Sequence, residues 1–263
     1  MAKSSMLGWV TAGLLAAVVI EGAVRDRLRD GDEPAAPKAE AYGGASGGTV
    51  ATPEAEPRRS RITAPARDAE RGVRLAARRA LVRLGGATYI DSLLSTTDSV
   101  VRRWPDRQMR PLRIAIIEGG PALYDPRMAD LVRQALAVWE VAGIGVRVAY
   151  VADTAGADVV VRWIDRFDFD RAGQTDLTWD QLGHVRHAAI SLAVRTNTGV
   201  PLPEDAMLAV AVHETGHALG LPHSADSADV MFPATRTSSL SPRDRRTVAL
   251  LYQLTPGSVR DRP

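Results

Sequence analysis

The chain of 263 residues is long enough for one sizeable core with appendages, and its 45% hydrophobic and 24% charged content excludes wholesale disorder and a polytopic membrane protein. Its 33 basic and 31 acidic residues leave a net charge of +2; 31 of the basic residues are Arg and 2 are Lys, a bias that reads as coding-composition drift and not as a nucleic-acid footprint, so no nucleic-acid partner is expected. Cysteine is absent, which excludes disulfides, a thiol nucleophile, an iron-sulfur cluster and a cysteine zinc finger, and leaves His, Asp and Glu as the ligands for any metal.

Residues 1–24 read as one targeting element. Lys3 precedes an uncharged apolar run at 6–20, which Glu21 ends. The run falls short of the roughly 20 residues that span a bilayer, so it is a signal-peptide core or, continued through Val24, a short membrane anchor. Glu21 beside the small residues Gly22 and Ala23 makes a poor cleavage site and favours the anchor. Arg25, Arg27 and Arg29 follow the run with only Lys3 ahead of it, a balance that favours keeping the downstream part in the cytoplasm. Against that balance, the apolar run and the flexible segment behind it lead to an expectation of export, with the folded part secreted or membrane-anchored on the extracytoplasmic side.

Residues 25–65 are rich in Pro, Ala, Gly, Glu and Ser and almost free of large apolar side chains, the composition of a disordered linker. At 66–85 an Arg-rich helical pattern follows, with Val73, Leu75, Ala76, Ala80 and Leu81 as a partial apolar stripe and Gly85-Gly86 as its stop. The folded domain is expected over 86–255, with a tail at 256–263.

Within it, Ile90, Leu93, Leu94, Val100, Val101 and Trp104 suggest a short helix, and 111–117 reads as a strand. Asp125-Pro126 is a helix start, and Met128, Leu131, Val132, Leu136 and Trp139 recur at helical spacing as far as Gly143. Strands are expected at 146–151 and 158–164, and after a loop carrying Asp165, Asp168, Asp170 and Asp176 another at 187–194. A second long helix, read as amphipathic, starts near Pro203 with Glu204 and Asp205 in its first turn, where acids suit the dipole, and ends at Gly220. This order describes an α/β (α+β) fold with a mixed sheet.

The chemistry lies on that helix and just beyond it. Three of the five His fall within His213-Glu214-Thr215-Gly216-His217-Ala218-Leu219-Gly220-Leu221-Pro222-His223. His213 and His217 are four apart, so both imidazoles project from one helical face at a separation that one zinc ion can bridge. Glu214 is badly angled to join the same coordination shell but can hydrogen-bond a water on the metal. Gly220 can take the left-handed conformation that ends a helix, after which the chain swings back and His223 supplies a third ligand. Three protein nitrogens leave a fourth position open, the catalytic pattern and not the structural one.

The full His-Glu-x-x-His-x-x-Gly-x-x-His pattern resembles that of the metzincin metallopeptidases and, within them, the matrixins. The continuation through Ser224, Asp226 and Val230-Met231-Phe232-Pro233 is similar to the matrixin His-Ser-x-Asp and Met-turn, and Leu240 to Asp244 with Val248, Leu251 and Tyr252 to the family's last catalytic-domain helix. The resemblance implies a zincin fold, a twisted mixed sheet with an active-site helix and a C-terminal helix. It implies a zinc endopeptidase of protein or peptide substrates, with one catalytic zinc on His213, His217 and His223 and a zinc-bound water whose proton Glu214 takes as general base. By the same resemblance Gly220, Met231 and Pro233 are structural, substrate lies along an edge strand near 187–194, and 233–239 walls a specificity pocket. A zinc-binding adhesion or scaffold module, against which Glu214 argues, and a zinc hydrolase of a non-peptide bond are the alternatives.

Five features depart from the pattern. Phe232 stands where Tyr is usual, and the acidic pair of the last helix is Arg243-Asp244, leaving Asp244 alone for the buried acidic role. His184 and His187 echo only one ligand of a second, structural zinc site and read as ordinary polar residues; the Asp-rich loop is where the resemblance allows calcium, although the alternating ligand arrangement is missing. The family's latency device needs a pro-region cysteine, so latency here must work otherwise.

Overall fold

The computed structural model describes residues 71–72, 75–76, 79–80, 82–90, 100–105 and 110–258. The apolar run at 6–20 and the linker at 25–65 lie outside the described residues, as do Leu93 and Leu94 of the expected helix at 90–104. Among the described residues no helix is long and apolar enough to cross a membrane. The described residues of 71–84 are helical and mostly exposed, with Ala80 packed against the core.

Val100 and Val101 are extended. They form β1 (Val100–Val101), antiparallel to β7 (Gly257–Ser258), so strand pairing runs past residue 255, where the sequence pattern ends the domain. Two consecutive β-branched residues favour a pleated over a helical backbone.

The main sheet has the order β3-β2-β4-β6-β5. β2 (Leu112–Ile116), β3 (Val148–Tyr150), β4 (Val159–Ile164) and β6 (Val185–Ala193) pair in parallel, and β5 (Gly173–Trp179) pairs antiparallel to β6. Between β2 and β3 runs α1 (Arg127–Glu140), started where Asp125 Oδ1 accepts the Arg127 N–H and burying Leu131, Val132, Leu136 and Trp139. The edge strand expected at 187–194 is corrected here. β6 lies inside the sheet between β4 and β5, with Ile190, Leu192 and Val194 buried, and the free edge beyond it is β5. Asp176 therefore sits on a strand and not in a loop. The alternation of Gln174, Thr175, Asp176, Leu177 and Thr178 is that of an antiparallel strand with one wet face, and its polar content disguises it as loop.

α2 (Glu204–Ala218) packs against α1 and against β5 and β6 of the sheet. Met207, the whole stretch 209–216 and Ala218 are buried, so this helix is not amphipathic over its second half, a pattern that belongs to a helix enclosed on all sides. The Trp139 indole N–H donates to the Val212 carbonyl across the α1–α2 contact at 2.8 Å. α3 (Pro242–Gln253) begins with a capping box in which the Ser241 hydroxyl accepts from Asp244 N and the Asp244 carboxylate accepts from Ser241 N.

Candidate metal centre and catalytic carboxylate

The last turn of α2 decides where the third histidine goes. Gly220 has φ +98°, its N–H donates to His217 O at 2.8 Å, and the Leu221 N–H reaches back to Gly216 O at 3.1 Å, the two bonds of a Schellman stop. A Cβ at Gly220 would also run into the Arg102 carbonyl, so both conformation and space call for glycine. The chain reverses there and brings His223 over the helix face that carries His213 and His217. The ring centroids are then 4.7 Å apart for His213–His217, 4.7 Å for His217–His223 and 5.3 Å for His213–His223, and one ring nitrogen from each lies within 4.8 Å of the others.

Hydrogen bonds fix which nitrogens converge. His213 Nδ1 lies 2.8 Å from Val230 O and His217 Nδ1 2.8 Å from Leu221 O; a carbonyl only accepts, so each Nδ1 carries the proton and each Nε2 presents a lone pair. His217 Nε2 is 3.1 Å from His223 Nε2, and His213 Nε2 is buried without a partner. Burial pushes the His213 imidazole down to about 3 and holds His217 well below the usual histidine range, so both stay in the neutral, ligating form. A buried lone pair with no donor, beside two more ring nitrogens that converge on it, is a cradle for a cation, and three imidazoles, two of them braced by backbone carbonyls, suit zinc.

Glu214 follows His213 but points at the sheet. It is 0% exposed; its Oε2 accepts from the Thr175 hydroxyl on β5 at 2.6 Å, and its Oε1 has no partner. Burial pushes the carboxyl up to about 8, against the Thr175 hydrogen bond and the Arg171 charge, which lower it. β5 comes so close that a Cβ on Gly173 would sit 2.5 Å from Oε1 and 2.6 Å from Cγ of Glu214.

Behind the histidines, Met231 is fully buried, and its sulfur occupies the space that a Cβ on Gly216 would need. Val230, whose carbonyl holds His213, donates its own N–H to Asp244 Oδ2 at 2.9 Å. Asp244 also accepts from the Tyr89 hydroxyl at 2.8 Å and from Ser241 N at 2.8 Å, so the expected buried acid is in place. Arg243 donates to Asp229 Oδ2 at 2.8 Å and to Ser224 Oγ at 2.6 Å, tying the residue after His223 to α3. Pro233 is half-buried in the turn after Met231.

The other titratable residues lie elsewhere. His184 is at the β5–β6 hairpin with Nδ1 3.4 Å from Asp180 Oδ2, and His187 pairs with Thr178 across the hairpin. Asp165 faces Arg195 at 3.2 Å, and Asp176 accepts from Gln174. Gly173, Thr175, Asp229 and Tyr89 escape sequence reasoning because their parts in the site depend on packing and not on spacing.

No curated protein matches the sequence. The family model for matrixin, of the M10 peptidases, matches residues 103–253, a span that takes in every strand of the main sheet, the three converging histidines and α3, and the chain accordingly belongs to the matrixin family of zinc metallopeptidases.

Proposed function

We propose that the protein is an endopeptidase in which His213, His217 and His223 hold one zinc ion and Glu214 is the general base. The observation that carries this reading is the set of converging imidazole nitrogens, two of them braced by carbonyls, next to a buried carboxylate with one oxygen unpartnered. Zinc, when bound, supplies a Lewis acid that acidifies water and polarises a peptide carbonyl. Glu214 Oε1 takes the proton of the attacking water and returns it to the departing amine nitrogen. An extended peptide pairs with the free edge of β5, the strand that touches Glu214, and so lies across the site. The turn at 233–239 forms a wall of the cleft beyond Met231.

Glu214→Ala tests the assignment. Peptide turnover at matched zinc content should fall by about 100- to 10,000-fold while the metal is retained, because the three imidazoles are untouched. A variant that cleaves at near wild-type rate would overturn the reading; inert wild type across a broad peptide library would favour the scaffold alternative. Export belongs to the same reading and rests on the apolar run at 6–20. Protease added to intact cells should digest the domain, and complete protection would place it inside.

A further inference from the structure

We propose that Thr175 is a positioning residue that gives the two oxygens of Glu214 different duties: it grips Oε2, so that Oε1 alone takes and returns the proton. The inference rests on the endopeptidase reading and adds a residue that the zinc motif does not contain.

Thr175 is 3% exposed and faces α2 from the edge strand. Its Oγ1 is 2.6 Å from Glu214 Oε2 and 3.0 Å from the Glu214 main-chain carbonyl, so the one hydroxyl spans the side chain and the backbone of the same residue. Two positions earlier on the same face of β5 is Gly173, the only residue type that leaves room for Oε1 at this approach. The strand thus grips one oxygen and makes space for the other. A carboxylate turns easily about its last torsion, and without the hydroxyl both oxygens would sample both places. The grip also survives the proton transfer, because Oε2 keeps a lone pair to accept from Thr175 whether Oε1 is ionised or protonated.

A merely structural cross-link between β5 and α2 predicts a different set of results, so the test compares Thr175→Val, which keeps the shape and loses the hydroxyl, with Thr175→Ser, which keeps the hydroxyl. Full-length proteins are loaded with equal zinc, kcat and KM are measured on one peptide, zinc affinity is measured by chelator competition, and the side chain of Glu214 is observed in crystals. Thr175→Val should lower kcat by about 10- to 100-fold, the scale of one hydrogen bond to a charged group, with KM and zinc affinity unchanged and the Glu214 carboxylate in more than one orientation. Thr175→Ser should recover most of kcat and a single orientation. Should Thr175→Val not fold, Thr175→Ala carries the same expectation. Near wild-type kcat in the variant without hydroxyl, a loss confined to KM or zinc affinity, or an equal loss in Thr175→Ser would overturn the proposal. Wild type and Glu214→Ala cleaving alike would instead overturn the reading beneath it, and the proposal with it.

Discussion

Neutral imidazole becomes a defined ligand only when one nitrogen is committed elsewhere. For His213 and His217 that commitment is made by the carbonyls of Val230 and Leu221, so ring rotation and tautomer are set before a metal binds. The cost is a buried Nε2 on His213 with no donor, a burden of a few kcal/mol in apolar surroundings that a cation relieves. The ligands themselves are legible in the sequence because helix geometry dictates that residues four apart share a face and that Gly220 can stop the helix. Their carbonyl partners are not, since Val230 and Leu221 act through backbone atoms that any residue carries. Thr175 is equally silent, because a threonine in a strand is ordinary and only the approach of β5 to α2 gives it a partner.

The element that organises the back of the site is α3, through its first turn. Asp244 accepts from Tyr89 on the segment leading into the domain, from Val230 in the turn that holds His213, and from its own cap residue Ser241. Tyr89→Phe removes one of these bonds and leaves the carboxylate partly unmet, so stability at neutral pH should fall by about 1–3 kcal/mol in urea unfolding. The loss should shrink in alkali. Burial first, and the Asp244 charge next, raise the Tyr89 phenol well above its ordinary value of 10, so above that pH the unfolded chain releases a proton that the folded chain keeps. The contribution of Tyr89 is thus fully present below pH 10 and is lost as pH rises above it, and the wild-type and Tyr89→Phe stability curves should converge there. Curves that stay parallel above pH 10 would refute this account of Tyr89. Elements follow the same rule of legibility as residues: α1 announces itself by periodicity and its Asp125-Pro126 start and α3 through the family resemblance, whereas β1 is two residues long with a partner far away in sequence and β5 is a polar strand that reads as loop.

At the scale of the whole molecule the site lies where the free edge of the sheet meets α2, and the two ends of the domain brace that edge. β1 and β7 pair with each other, Arg103 N donates to Gly183 O in the turn of the β5–β6 hairpin, and a Cβ on Gly183 would collide with the Val101 carbonyl and the Gly257 nitrogen. Trp104, next along, donates its indole N–H to Ala218 O at the end of α2 at 2.8 Å. The described part of 71–84 adds little to this, since its residues are exposed apart from Ala80, whereas Ala87 and Tyr89 are bonded to Arg246, Thr247 and Asp244. Two fragments separate these contributions. Residues 86–263 should fold with nearly the thermal midpoint of the full chain and bind about one zinc per chain. Zinc at about 100-fold above its dissociation constant should then add about 2.7 kcal/mol to the stability of that fragment, because the unfolded chain offers no such site. Residues 86–255 lack β7, leave β1 without its partner and should unfold at lower temperature, with the β5–β6 hairpin exchanging its amide protons first. A fragment 86–263 that stays unfolded with zinc present would mean that the preceding helix is part of the core, and equal hairpin protection in the two fragments would mean that the terminal ribbon does not brace the edge along which substrate is expected to lie.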